Sequence, residues 1–134
     1  MITEDYVSFE TAKLLKEKGF DENCSRSYVK DKLAVSQGFN NSYYTTMYSD
    51  ASYRPVSAPT LQMAMKWLRE NFNMDPVPYA TSIGWYFEVF DLTQRDITGC
   101  ALLYQVGIPS KEKMLETYEE ACEAGIMYCL ENLI

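Results

Sequence analysis

Apolar residues recur at helical spacing in the middle of the chain, between residues 57 and 72. Ser57 and Pro59 suit a first helical turn, because a serine hydroxyl accepts a bond from a free N–H and proline needs no donor there. Trp67 flanks the apolar face. The segment therefore predicts a central amphipathic helix that packs on a sheet. The residues that share its apolar face are Leu61, Ala64, Met65, Leu68 and Phe72.

A second helix is predicted over residues 9–18. Ser8 is placed to cap it, and Phe9, Ala12 and Leu15 form an apolar stripe. Gly19 follows the stripe at the position where helices end in a left-handed residue. The helix should therefore stop at Gly19.

A third helix is predicted over residues 118–132. Thr117 and Glu120 have the spacing of a capping box, in which each side chain bonds the other residue's backbone N–H. The apolar side chains that follow recur at helical steps, so this helix should also bury one face. They are Cys122, Ile126, Cys129, Leu130 and Leu133.

Strand-forming residues occupy the intervals between these helices. The sequence YYTTMY at residues 43–48 combines aromatic and β-branched side chains, and WYFEVFDL at residues 85–92 does the same. Weaker strand patterns cover residues 27–35, 79–83 and 100–106. Two prolines within residues 73–78 predict an irregular connection. In residues 85–92, Trp85, Phe87 and Val89 should face the core.

The predicted order is α-β-β-α-β-β(-β)-α. Adjacent strands joined by turns favour antiparallel pairing. The 134 residues are therefore expected to form a single α+β domain, 1–134, with a mostly antiparallel sheet and three helices packed on one face.

The chain contains no histidine, which removes the commonest metal ligand and general base. It has neither a CxxC motif nor a glycine-rich phosphate loop. The four cysteines (Cys24, Cys100, Cys122 and Cys129) are expected to be reduced core residues. We therefore predict no catalytic residue, no metal and no cofactor.

Charge is unevenly distributed within the net value of −7. Residues 1–56 hold seven basic and eight acidic side chains, whereas residues 57–134 hold five and eleven. Arg26, Lys30 and Lys32 cluster, but Asp31 interrupts them, and a solvated strand edge explains them. Such a chain repels phosphate, so nucleic acid is not an expected partner.

The sequence also predicts a protein of the cytoplasm that does not enter membranes. No apolar run approaches the roughly 20 residues that span a bilayer. The first residues, MITEDYVSFE, lack the basic and apolar regions of a signal peptide.

Tyrosine is the unusual residue in this composition, with eleven copies. Tyr43, Tyr44, Tyr48 and Tyr53 crowd one predicted strand and its following loop, and such a cluster suits a binding surface. The alternative is that strands simply favour tyrosine and that one face is core.

An exposed edge strand at residues 43–48 would need a cover, and a twofold partner is the commonest one. We therefore expect a homodimer that buries this surface. Thr46→Pro should disfavour it by removing a ladder donor.

Four segments carry a resemblance to known proteins: ITEDYVSFETAKLLKEKGF, SAPTLQMAMKWLRE, GWYFEVF and TYEEACEAGIMYCLENLI. Together they resemble small phage- or prophage-associated proteins of unknown function from gut Bacteroidales. The resemblance implies an intracellular accessory protein acting on a host or phage component. It implies no activity, cofactor or catalytic residue.

These observations favour a non-enzymatic accessory protein, derived from a phage or mobile element, that binds another protein. One alternative is a small-molecule-binding domain or an enzyme that uses carboxylates such as Glu88 and Asp91. Another is an acidic DNA mimic, which would need the carboxylates of Glu119, Glu120 and Glu123 in an exposed row.

Overall fold

The computed structural model describes residues 1–103 and 114–134 and confirms the α+β class. Within these residues it contains four helices and two antiparallel three-stranded sheets, rather than three helices on one sheet. The chain forms two compact units, Met1–Gln62 and Met63–Ile134. The single domain expected for residues 1–134 stays a prediction.

The described elements occur in this order along the chain. They are α1 (Phe9–Glu17), β1 (Cys24–Val29), β2 (Lys32–Phe39), α2 (Asn41–Met47), a 3-10 turn (Ala51–Tyr53), β3 (Val56–Ser57), α3 (Leu61–Phe72), β4 (Met74–Thr81), β5 (Gly84–Arg95), β6 (Ala101–Leu103) and α4 (Tyr118–Tyr128), which continues as a π-helical turn (Cys129–Leu133).

Helix α1 confirms the prediction to within one residue. The Ser8 hydroxyl accepts a hydrogen bond from the Thr11 N–H at 3.2 Å. Gly19 follows with φ of 98°, a conformation that costs glycine little, and the chain leaves the helix there. Ala12 and Leu15 of the predicted stripe are fully buried, and Phe9 is half-buried.

Residues 27–35 form two strands, so the single strand predicted there is wrong. The chain reverses at Lys30 and Asp31, and β1 and β2 pair with Tyr28 opposite Leu33 and Val29 opposite Lys32. Lys30 makes this possible by adopting a φ of 63°. β1 then lies between β2 and β3 in the first sheet.

The strand predicted at residues 43–48 is also wrong, because the segment is helix α2. The Asn40 side chain caps the helix by accepting a bond from the Tyr43 N–H at 2.8 Å. The hydroxyls of Thr45 and Thr46 donate to carbonyls one turn earlier. These local bonds outweigh the β-propensity of tyrosine and threonine. The edge strand on which the expected homodimer depended is therefore absent at these residues.

The central helix begins later than predicted. Ser57 lies in β3 opposite Ser27, and α3 starts at Leu61, so Ser57 is not the helix cap. The carbonyl of Pro59 instead accepts the Val7 N–H at 3.0 Å. The predicted apolar face is otherwise confirmed, since its first four members and Trp67 are buried: Leu61, Ala64, Met65 and Leu68.

Strand β4 contains both prolines of the segment predicted to be irregular. In the described sheet β4 is an outer strand, with order β4-β5-β6, and Pro76 and Pro78 lie opposite Val89 and Phe87. An outer strand has one side without ladder partners, so it tolerates residues that lack an N–H. Position in the sheet therefore explains the difference.

Helix α4 covers one face of the second sheet. Trp85 contacts Tyr118 edge-on at 5.6 Å between ring centroids, and Phe87 contacts Tyr128 at 5.8 Å. Val89, next on that face, is fully buried. The core role predicted for three alternating residues of β5 is confirmed for Val89, whereas Trp85 and Phe87 are half-buried against α4, and β5 extends beyond the predicted range.

The last predicted strand, residues 100–106, is seen in part. β6 covers Ala101–Leu103, and Cys100 is exposed rather than buried. Residues 104–106 lie outside the described residues.

The capping box of α4 takes a modified form. The Thr117 hydroxyl accepts from the Glu120 N–H at 3.1 Å, but the Glu120 carboxylate accepts from the Glu116 N–H.

Candidate functional site

Three of the four tyrosines singled out from the sequence lie together in the first unit. Phe39 at the end of β2 stacks on Tyr43, with ring centroids 3.9 Å apart, and meets Tyr44 edge-on at 6.3 Å. Tyr44 in turn contacts Tyr48 at 6.4 Å, one helical turn further. We call Phe39, Tyr43, Tyr44 and Tyr48 the aromatic cluster.

The fourth tyrosine, Tyr53, belongs to the 3-10 turn and is exposed; within the described residues it has no ring contact with the cluster. Phe39 was missed because it falls in a stretch of turn-like composition, QGFNNS. The two asparagines of that stretch were nevertheless a usable signal, because asparagine is a preferred N-cap.

A shallow groove of about 250 Å³ adjoins the aromatic cluster. Phe39, Tyr44 and Tyr48 line it together with Val29 of β1 and Val35 of β2. These two valines are 44% and 69% exposed. Apolar side chains left open to water beside tyrosines are typical of a contact surface.

Tyr44 forms the buried wall of this groove. Its side chain is 3% exposed, and its hydroxyl has no hydrogen-bond partner among the described residues. A buried hydroxyl without a partner costs about 1–3 kcal/mol relative to a paired one. The hydroxyl is buried, so Tyr44 contributes its ring to the groove, while Ser27, Ser36 and Gln37 give the lining polar groups as well.

Asn41 holds helix α2 in place beneath the aromatic cluster. Its side-chain N–H donates to the Phe20 carbonyl at 2.8 Å, and its side-chain oxygen accepts from the Ser57 N–H at 3.0 Å. The residue is 6% exposed. One amide thus connects α2 to the end of α1 and to β3, which fixes the direction in which the tyrosines project.

A second groove, of about 520 Å³, lies on another part of the first unit and is strongly basic. Lys13 and Lys16 of α1, Lys30 at the hairpin turn and Arg54 after the 3-10 turn line it. Glu17 is the one carboxylate in the lining. We call these four cations and their cavity the basic groove. No sequence pattern indicated it, because its cations come from three separate segments.

The cations of the basic groove differ in how they are held. The Arg54 guanidinium donates to the carbonyls of Tyr48 and Ser49, at 2.7 and 3.2 Å. Lys13 pairs with Glu10 at 3.1 Å and lies over the Phe9 ring. Lys16 and Lys30 have no carboxylate within ion-pair distance in the described part of the chain.

A third concavity, of about 570 Å³, lies between the end of α1 and α2. Its polar groups already serve the fold. The Asp21 carboxylate accepts bonds from the Ser42 N–H and hydroxyl, and Asn41 makes the two bonds described above. This concavity offers fewer unused groups than the basic groove.

The carboxylates considered for catalysis have structural partners instead. Asp91 accepts bonds from Thr93, Glu88 accepts one from the Tyr86 hydroxyl, and Asp75 pairs with Arg69. The Thr98 hydroxyl, together with nearby backbone N–H groups, holds the pKa of Asp96 below its usual range. Within residues 1–103 and 114–134, cysteine and acidic side chains form no group of three suited to a metal ion.

The cysteines are free thiols, and three of them are buried as expected. Burial raises the pKa of the Cys24 and Cys129 thiols to about 12 and raises that of Cys122 as well. A thiol that stays protonated is a poor nucleophile. These three residues therefore act as core side chains.

Comparisons of the chain with protein-family models, with curated proteins and with solved structures find no match. Among the helices that the structure describes, none has the length and apolar character needed to cross a membrane.

Proposed function

We propose that the protein is a non-enzymatic accessory protein of the cytoplasm that binds another protein through the aromatic cluster and the groove beside it. The observation that carries this proposal is the open groove in which Val29 and Val35 are exposed beside Tyr44 and Tyr48. A derivation from a phage or mobile element, as the resemblance implies, is part of the same proposal.

The surroundings of the groove favour an extended segment of the partner. Among the strands that the structure describes, β2 is an outer strand of the first sheet, so its side away from β1 can accept another strand. Side chains of that segment would fill the groove and contact Val29, Val35 and the ring of Tyr48. The positive φ angles of Gln37 and Gly38 interrupt regular pairing, which confines the added strand to residues 32–36.

A charged substitution at Val35 tests this proposal. Val35→Asp places a carboxylate on the exposed face without disturbing a buried contact, whereas Ile83→Asp makes the same kind of change at an exposed position of the second unit. Candidate partners are those captured from host lysate by the wild type and by Ile83→Asp but lost with Val35→Asp. Calorimetry with each purified candidate should then show binding weakened about tenfold or more by Val35→Asp.

The same comparison can refute the proposal. Recovery of no stoichiometric partner, or equal capture by the two variants, would contradict it. The partner could itself be a second copy of the chain, and light scattering at roughly tens of micromolar protein would detect such a dimer. A wild-type dimer that Val35→Asp dissociates would identify the partner as the chain itself.

The alternatives have different support in the structure. A ligand of low molecular weight is favoured by the basic groove. Carboxylate catalysis has less support, because Asp91 holds a turn and Asp75 pairs with Arg69. DNA mimicry has less support because Glu120, one of the three carboxylates it needs, accepts a capping bond from the Glu116 N–H.

A further inference from the structure

The basic groove is positively charged, although the chain as a whole is negatively charged. The whole sequence has a net charge of −7, yet four cations and one carboxylate line this cavity, and of the four cations only Lys13 forms an ion pair within the described residues, with Glu10. Like charges brought together around a concave surface repel one another and raise the free energy of the unliganded protein. An anion in the groove would relieve that repulsion.

Arg54 is held ready for such an anion. Two of its N–H groups bond to the neutral carbonyls of Tyr48 and Ser49, which orients the guanidinium without cancelling its charge. The neighbouring Asp50 carboxylate accepts bonds from the N–H and hydroxyl of Ser52 and attracts the Arg54 guanidinium without forming an ion pair with it. The remaining donors of the guanidinium can therefore meet two oxygens of one ligand group.

Lys30 adds an independent observation. It occupies the hairpin turn with φ of 63°, a conformation in which asparagine and glycine are favoured and lysine is uncommon. A lysine here costs about 1 kcal/mol or more in backbone strain. The strain is explained if the turn serves to place an ammonium group at the basic groove.

The size and lining of the basic groove limit the class of ligand. A volume of about 520 Å³ is that of a small-molecule site. Phe9, Ala51 and Val56 supply apolar surface between the cations. A long polyanion such as nucleic acid would extend beyond this small positive region. It would then be repelled by the net negative charge of the rest of the protein.

We propose that the basic groove binds a small phosphate-bearing molecule, with its phosphate groups between Lys16, Lys30 and Arg54. Phosphate suits these donors because it accepts several charge-assisted hydrogen bonds at once. The ligand is either a free polyphosphate or a nucleotide whose non-phosphate part lies on the apolar surface. Both share the phosphate chemistry that the cations recognise.

Calorimetric titrations with inorganic pyrophosphate and with ADP test this proposal. The wild type should bind at least one of them, and affinity should fall as salt is raised. The double variant Lys16→Gln/Lys30→Asn removes two charges, while asparagine accepts the positive φ of the hairpin turn. It should bind at least about tenfold more weakly.

A matched control is available on the neighbouring strand. Lys32 does not line the basic groove, so Lys32→Gln removes one charge nearby and should leave affinity within about twofold of the wild type. Tighter binding of ADP than of pyrophosphate would assign the ligand to the nucleotides, and equal or weaker binding of ADP would assign it to free polyphosphates.

Several results would overturn the proposal. They are no detectable binding of either probe, an affinity unchanged in the double variant, and equal weakening by Lys32→Gln. Urea unfolding of each variant shows whether it remains folded. If the double variant unfolds, the single Lys16→Gln variant decides instead.

Discussion

Asn41 shows how one side chain can decide the arrangement of a whole surface. Its amide bonds to the Phe20 carbonyl and to the Ser57 N–H, so it joins three segments that are distant in sequence. Replacing it removes two hydrogen bonds but leaves both backbone partners buried. The aromatic cluster depends on that connection, because α2 and its C-terminal end carry three of its four rings.

We predict that Asn41→Ala lowers the free energy of unfolding by about 2–4 kcal/mol, because two buried backbone groups lose their partners. Ser42→Ala is the matched control. It removes an exposed hydroxyl bond to Asp21 and should cost less than about 1 kcal/mol. Urea unfolding followed by circular dichroism measures both. Equal losses for the two variants would show that Asn41 is not the connection described.

At the residue scale, one of the two candidate sites has a sequence signal and the other has none. The pattern identified Tyr43, Tyr44 and Tyr48 as a group, and the structure brings them together, although on a helix rather than a strand. It could not find the basic groove. Lys13, Lys30 and Arg54 become neighbours through the hairpin and the 3-10 turn, and no local pattern encodes that proximity.

At the scale of elements, the contact of α4 with the second sheet depends on the absence of a side chain. A Cβ added to Gly125 would lie 2.9 Å from the Pro76 Cβ and 3.4 Å from a ring carbon of Phe87. The proline ring cannot move aside easily, because β4 holds it opposite Val89. Glycine therefore sets how closely helix and sheet approach.

We predict that Gly125→Ala destabilises the protein by about 1–3 kcal/mol, although alanine is the better helix former. Ala124→Gly, one position earlier and half-buried, should cost about 1 kcal/mol through helix propensity alone. Thermal unfolding compares them. A Gly125→Ala variant as stable as the wild type would mean that the helix can move away from Pro76 at little cost.

Elements with a local signal were predicted well. Helix α1 has its cap, its stripe and its stop within a dozen residues, so its limits could be inferred from sequence. Helix α2 and strand β4 were not, for opposite reasons. In α2 the Asn40 cap overrides strand propensity, whereas in β4 the position at the outside of a sheet overrides the usual effect of proline.

At the scale of the whole molecule, net charge and local charge point to different ligands. The chain carries −7, and most of that excess lies after residue 56. The basic groove is a locally positive region in this negative chain, and it is only large enough for one small ligand. Long-range repulsion should therefore act on a polymer but not prevent a compact anion from binding.

We predict that the protein does not bind duplex DNA of about 20 base pairs at roughly 150 mM salt, because too few of its cations can reach the phosphates at once. Fluorescence anisotropy with labelled DNA checks this, and the pyrophosphate titration serves as the positive comparison. A DNA complex at micromolar protein would contradict the limit placed on the basic groove.

The left-handed lysine at the hairpin turn has a consequence for directed evolution. A library screened only for resistance to heat should enrich asparagine or glycine at position 30, because either residue relieves the strain of a φ of 63°. The selected variants would be more thermostable but would lack one ammonium group at the basic groove. A screen that alternates heat with selection for pyrophosphate or ADP binding should instead retain lysine if the basic groove binds phosphate.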